Sequence, residues 1–239
     1  MTTPKIRGNP CTVNQPCLFP RLHIMNRAAR VKTFLVLSSA QFMRKSDQAL
    51  LWVTLRGVPT SIRIPTTSGR VPLREKFVQL DERAMGKILR RIKSEWPKTA
   101  DAEGALALLE VELRATNGRS MAQCGLHSMR HRSNILGLTG TTFVDDVDVA
   151  PPIPGDPSGW MLDQCLNIGA SSYYAGGTAI NAYIDHDKWK RRGVRLLEQD
   201  WKVPKEIVDL LGHEVSTSVL DVIAHGGLDA LRRELASHP

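Results

Sequence analysis

The order of apolar and polar positions divides the chain into alternating strand-length and helix-length pieces. Residues 1–10 mix Pro, Gly and Lys/Arg without periodicity and read as a loose, flexible arm. Cys11 to Asn14 reads as a short strand, stopped by the turn chemistry of Gln15-Pro16 and Phe19-Pro20. A helix follows from Arg21 to Arg30, with Leu22, Met25 and Ala29 on one side. Val31 to Leu37 is a mostly apolar run without alternation, as expected of a strand buried on both faces. Leu50 to Leu55 and Ser61 to Ile64 predict a hairpin joined through Gly57 and Pro59, and helices are predicted over 81–95, 102–115 and 119–136.

Ala150 to Pro157, with four prolines and a glycine, is the best internal linker or rigid loop. Beyond it the pattern gives a helix over 158–168, a strand over 171–175 and the pair Gly176-Gly177, with a helix restarting near Thr178. Asp185, His186 and Asp187 cap a helix toward Trp189. A strand over 194–199 and helices over 204–212, 216–224 and 227–236 complete the chain. Strands interleaved with helices predict an α/β fold: a Rossmann-like, mostly parallel sheet flanked by helices, with a helical C-terminal portion. The expected organisation is an arm (1–10), an N-terminal α/β half (11–149) and a C-terminal half (150–239), forming one continuous domain.

Composition narrows the class. With 239 residues, 42% of them hydrophobic, the chain can bury a proper core, which excludes whole-chain disorder. No apolar run approaches the ~20 residues of a membrane helix, and no secretory h-region opens the chain, so a soluble protein without membrane partners is expected. Cys11, Cys17, Cys124 and Cys165 form no CxxC pair, which points to reduced thiols and the cytoplasm. Charge is unevenly spread. Residues 1–100 hold 19 Lys/Arg against 5 Asp/Glu, and residues 101–239 hold 13 against 19. Such a basic half suits an anionic polymer or polyphosphate that releases counterions on docking. Aromatics, 5% of the chain, are not interleaved with the basic residues, so contacts to a nucleic acid would be dominated by its backbone.

Candidate chemistry is dispersed. No GxxxxGK[ST], GxGxxG or GxSxG is present, which leaves phosphate loops of known type and covalent hydrolases without support. The strand, turn and helix across Thr12 to Arg30 form an arrangement in which amides at a helix start can hold phosphate. The small residues at Gly176-Gly177-Thr178 let a ligand approach the backbone closely. Cys124, His127 and His131 share a helix face with metal-ligand spacing but lack a fourth ligand. Asp145, Asp146 and Asp148 leave a divalent ion open. Otherwise no cofactor is expected.

Taken in order, several segments resemble the WbqC-like protein family, found in bacterial surface-polysaccharide clusters and some phage genomes. These are Asn14-Gln15-Pro16 with Phe19-Pro20, Thr33 to Leu37, Ala40-Gln41-Phe42, Lys45-Ser46, Ile62 to Pro65, Gly169 to Asp185, the Gly193 strand, and Ser218 to Asp221 with Gly226. Asn14 stands where the family has His or Ser, Ser38-Ser39 where it has an aspartate, and Gln48 to Trp52 where it has Asn-Arg-Asn. These departures point to a changed acceptor. The resemblance implies group transfer of an amino acid or amine onto an activated acceptor. The expected reaction joins an amino acid such as glycine to an activated 5-hydroxymethyl pyrimidine in phage DNA, displacing pyrophosphate. In this reading Arg44, Lys45 and Arg63 stabilise the leaving group, while Asn14, Gln15, Gln41, Gly176, Gly177 and Thr178 bind substrate. Tyr174 and Tyr183 orient it, and Asp185 or His186 is the base, with His127 behind. The alternatives are a sugar-nucleotide aminoacyl or acyl transferase of O-antigen assembly, and a noncatalytic DNA-binding accessory protein.

Overall fold

The computed structural model describes residues 8–44 and 46–237. Strand β1 (Pro10–Asn14) begins earlier than the predicted arm allows, because Asn9 is tied down by its amide to Ser171 Oγ (2.9 Å) and its Nδ2 to Gly169 O (2.9 Å). The rest of that arm, residues 1–7, lies outside the described residues. Helix α1 (Leu22–Ala29) leads into β2 (Thr33–Val36), which pairs in parallel with β1 from Cys11↔Thr33 to Asn14↔Val36.

A separate hairpin follows, of β3 (Leu50–Leu55) and β4 (Val58–Arg63). Its two turn residues, Arg56 (φ 52°) and Gly57 (φ 74°), both take positive φ, the geometry that matches the twist of a two-residue hairpin. β4 therefore starts three residues before the predicted Ser61 and includes Pro59, tolerated because this two-stranded sheet consists of edges alone.

Helices α2 (Glu82–Glu95), α3 (Ala100–Thr116) and α4 (Met121–Leu136) come next, each opened by the side chain before it: Asp81, Thr99 and Ser120. Strand β5 (Thr142–Asp145) is absent from the sequence prediction. Four residues are too few to show a period, and its place is fixed by pairing with β2 and by the Phe34–Phe143 ring contact at 5.4 Å. Then follow α5 (Pro157–Asn167), β6 (Ser172–Gly176), the short helices α6 (Gly177–Ala182) and α7 (His186–Arg191), and β7 (Arg195–Gln199). Helices α8 (Lys205–Leu211), α9 (Val219–Ala224) and α10 (Leu228–Ala236) end the described chain. α9 starts three residues later than the pattern predicts, because Thr217 O and Ser218 N bond instead to Leu22 N and Trp52 O (both 2.9 Å).

The main sheet has the order β5-β2-β1-β6-β7, parallel throughout, as expected of a Rossmann-like fold. The chain winds outward from β1 to β2 and β5, crosses over, and winds outward again through β6 and β7. Right-handed crossovers running in opposite directions carry their helices to opposite faces. Side chains follow: Asn14 meets Arg27 of α1, whereas Cys11 meets Cys165 of α5 (Sγ–Sγ 3.1 Å). All four cysteines are free and buried. Among the described residues no helix is long and apolar enough to cross a membrane.

Asp221 ties the hairpin to this body. Fully buried on α9, its carboxylate accepts from Thr54 N (2.8 Å), Thr54 Oγ1 (2.6 Å) and Trp96 Nε1 (3.2 Å). Asp221→Ala strands these donors without water, so urea denaturation should show a loss of about 3 kcal/mol, with Asp221→Asn less affected because it keeps one acceptor.

Candidate functional site

A crevice of about 390 Å³ opens between the carboxyl ends of β1 and β6. These are the neighbours at which the strand order reverses, and open α/β sheets bind ligands at that switch point because the diverging connections leave a gap there. Of the residues picked out by sequence, Asn14, Gln15, Gly176, Thr178 and Tyr183 line it. His23, Arg27, Asp47, Gln48, Met161 and Tyr173 line it too and were not anticipated. Of the two tyrosines expected to orient substrate, Tyr183 lines the crevice and Tyr174 does not. Along β6, Tyr173 stacks on Trp189 (centroids 5.0 Å) and reaches the crevice, whereas Tyr174 faces the other way, beneath the Arg30 guanidinium (5.9 Å). Gly177 is packing rather than lining, since a Cβ there would strike Glu198 Oε1.

The expected phosphate grip at the start of α1 is not available. The amides of Leu22 and His23 are taken by Thr217 O (2.9 Å) and Ser216 Oγ (3.1 Å), contributed from the far end of the chain. Positive charge enters the crevice from the side of the helix instead. Arg27 is buried, and desolvation lowers its pKa. His23 contacts Ser216 Oγ through Nδ1 (3.0 Å); burial first, then the charges of Arg27 and Arg21, pull its pKa down to about 3. Burial pushes the Cys17 thiol up to about 12, with Asp47 adding to the effect, so it is no nucleophile. Burial disfavours the Asp47 carboxylate, but hydrogen bonds from Arg21 Nη1 (2.7 Å) and Trp52 Nε1 (3.0 Å) hold its pKa below the usual range.

A second cavity, about 680 Å³, is basic. Arg44, Arg63, Arg70 and Lys76 line it around Phe42, over whose ring Lys76 Nζ sits at 4.4 Å. The structure thus brings Arg44 and Arg63 together, but in this groove and not in the crevice. Lys45 lies outside the described residues. Gln41 braces the groove, its Nε2 donating to Arg70 O (2.8 Å). Gln48 joins the two cavities: Nε2 donates to Gln15 Oε1 (2.5 Å) in the crevice, and Oε1 accepts from Met43 N (2.8 Å) at the groove.

The candidate bases are not gathered with either cavity. Asp185 caps α7, accepting from Lys188 N (2.9 Å), and His186 Nε2 contacts Ile180 O (3.0 Å). His127 is exposed on α4, its ring 6.1 Å from that of His131. The metal-like spacing in α4 serves packing. His131 Nδ1 meets Glu112 Oε1 (2.7 Å), Glu112 also pairs with the buried Arg132, and Cys124 Sγ faces Thr116 O (3.6 Å). Asp145 and Asp146 hold the turn after β2: Asp146 Oδ1 accepts from the amides of Ser38 (2.8 Å) and Ser39 (3.2 Å), and Ser38 Oγ bonds both carboxyls. Burial, and then the neighbouring Asp145, raise the Asp146 pKa. Among the described residues no group of three or more His, Cys, Asp or Glu is placed to hold a metal ion.

Sheet and crevice define an α/β protein of Rossmann-like architecture with a ligand-sized cleft at its switch point. The chain belongs to the WbqC-like protein family, whose profile matches residues 15–233. Neither a curated protein nor a solved structure matches the chain significantly.

A Cβ on Gly125 of α4 would meet Pro16 Cβ at 2.6 Å, Pro16 Cα at 2.9 Å and Cys17 N at 3.0 Å, so Gly125→Ala must displace the turn that carries Gln15. It should cost about 1–3 kcal/mol in denaturant melts. Gly104→Ala, on the exposed side of α3 with nothing within 4 Å, should instead gain about 0.5–1 kcal/mol. His23 gives a pH signature. The unfolded chain takes up a proton near pH 6.5 that the folded chain refuses until about pH 3, so the residue's contribution is complete above pH 6.5 and is lost as pH falls toward 3. Over that window His23→Gln should lose stability less steeply than the parent, by up to about 1.4 kcal/mol per pH unit.

Proposed function

We propose that the chain is a group transferase joining an amino acid, such as glycine, to an activated 5-hydroxymethyl pyrimidine in DNA with loss of pyrophosphate. One observation carries this reading: a crevice of small-molecule size and a groove lined by four basic side chains share the segment around Gln48. A lone sugar nucleotide has no need of the groove, whereas a polyanion does. Its phosphates lie along Arg44, Arg63 and Arg70, and the base carrying the activated methylene turns into the crevice, as enzymes acting on a base require.

In the reaction the amine lone pair forms an N–C bond to the exocyclic methylene carbon. The C–O bond to pyrophosphate breaks, its electron pair leaving with the pyrophosphate, and the amine surrenders one proton to solvent. The crevice contributes by holding the two reactants together and by presenting His23, uncharged at neutral pH, as a hydrogen-bonding partner that does not repel an ammonium. Thr178 and Tyr183 supply hydroxyls at its lining.

The test is incubation of the purified protein with DNA carrying pyrophosphorylated 5-hydroxymethyluracil and a mixture of amino acids, followed by nucleoside mass spectrometry. A gain of one amino acid minus water over hydroxymethyldeoxyuridine is expected. In parallel, Arg63→Ala with Arg70→Ala should reduce the slope of log affinity against log salt by about 1.8, two phosphate contacts at about 0.9 each. Salt-sensitive DNA binding with no mass gain would favour the noncatalytic accessory reading, and turnover on a nucleotide sugar without DNA binding would move the acceptor to surface-polysaccharide assembly.

A further inference from the structure

Arg27, Arg30 and Lys76 are buried cations without a carboxylate partner among the described residues, and of the three Arg27 alone lines the crevice. Its residue is 7% exposed, yet its single side-chain hydrogen bond among the described residues runs from Nη2 to the neutral Asn14 Oδ1 at 3.2 Å, and Nε has no partner there. No carboxylate of the described residues pairs with it. Arg132, also buried, is matched by Glu112, and the carboxylate that shares the crevice lining, Asp47, is already matched by Arg21 and Trp52. Apart from Asp47, the polar groups that share the crevice lining with Arg27 carry no charge, the Cys17 thiol and the His23 imidazole included. A guanidinium removed from water and left without an anion destabilises the fold unless an anion arrives to meet it. Its planar fork is shaped for two parallel bonds to one oxyanion.

We infer that Arg27 is the anchor of an oxyanion site in the crevice, taking either the carboxylate of the amino acid or a phosphate of the activated acceptor. This rests on the crevice being the ligand site of the proposed transferase. The one carboxylate of the lining, Asp47, is bonded to Arg21 and not to Arg27, and the low dielectric raises the attraction of the guanidinium for a ligand. Asn14 Oδ1 accepts from Nη2 and so orients the fork, and Nε is left without a partner among the described residues. Within the family resemblance Asn14 is a departure, and here it acts as a neutral acceptor that orients Arg27 without neutralising it.

The experiment uses the whole chain and three probes, glycine, glycinamide and inorganic pyrophosphate, in thermal-shift and calorimetric titrations on the parent, Arg27→Met and Arg27→Lys. Expected is saturable binding of glycine or of pyrophosphate to the parent, weakened about tenfold or more in Arg27→Met. Arg27→Lys should fall between, since it keeps the charge and loses the fork. Glycine binding with none by glycinamide assigns the carboxylate; pyrophosphate binding assigns the phosphate. Unliganded Arg27→Met should melt no lower than the parent, because it loses an uncompensated charge and a single weak hydrogen bond. Binding that is unchanged in both variants overturns the inference, as does the absence of binding by either anion to the parent. So does an Arg27→Met protein that is destabilised while Arg27→Lys binds as the parent does. If an oxyanion binds through Arg27 but no DNA nucleoside gains mass, the reaction proposed above fails and the site stands.

Discussion

Winding in a parallel sheet is constrained by handedness, and in this chain the constraint acts twice in opposite senses. From β1 the chain moves outward to β2 and β5; from β6 it moves outward to β7. Crossovers between parallel strands are right-handed as a rule, because a right-twisted strand and a right-handed helix pack back onto the sheet that way. The connections leaving β1 and β6 therefore diverge to opposite faces, and the gap between them cannot be filled by either. Arg27 and His23 reach the crevice from α1, Tyr173 from β6 and Met161 from α5, while Asp47 and Gln48 reach it from the segment before β3.

What closes the gap on its remaining side is the turn from Asn14 to Cys17, and its position depends on contacts with parts of the chain far away. Gly125 lets α4 approach the backbone of Pro16 and Cys17 more closely than any side chain permits. Gln48 holds Gln15 by its side chain and Leu18 N by its backbone carbonyl (3.0 Å). Ser216 and Thr217 occupy the first amides of α1. Because these amides are satisfied internally, anion recognition passes from a helix terminus, which serves in many α/β proteins, to a single guanidinium. Such a group is strong only while water is kept away from it, and the buried setting of Arg27 supplies that condition at a cost to stability.

The basic N-terminal half acquires a shape through the hairpin and the loop after it. Arg44, Arg63, Arg70 and Lys76 come from separate stretches of sequence, gathered around Phe42 because β4 returns Arg63 and the 65–76 segment to the side of residues 41–44. Asp221 fixes that hairpin to the helical tail, so the C-terminal helices influence the groove without lining it.

Most of the element order, the α/β class and the capped start of α7 are legible in the chain before it folds, since periodicity and capping chemistry are local properties read within a few residues. So is the placing of Asn14, Gln15, Gly176 and Thr178 at strand ends, where ligands bind. Long-range packing settles β5, whose four residues have no period to read, and the late start of α9, where 216–218 give their polar groups to α1 and β3. It also settles which of two adjacent tyrosines reaches the crevice, because a one-residue choice of strand face is set by what packs above and below. Arg27 is illegible for a related reason. Within its helix it is an ordinary basic residue beside a polar asparagine, and its role comes from the absence of a carboxylate partner in three dimensions among the described residues, which no local pattern records.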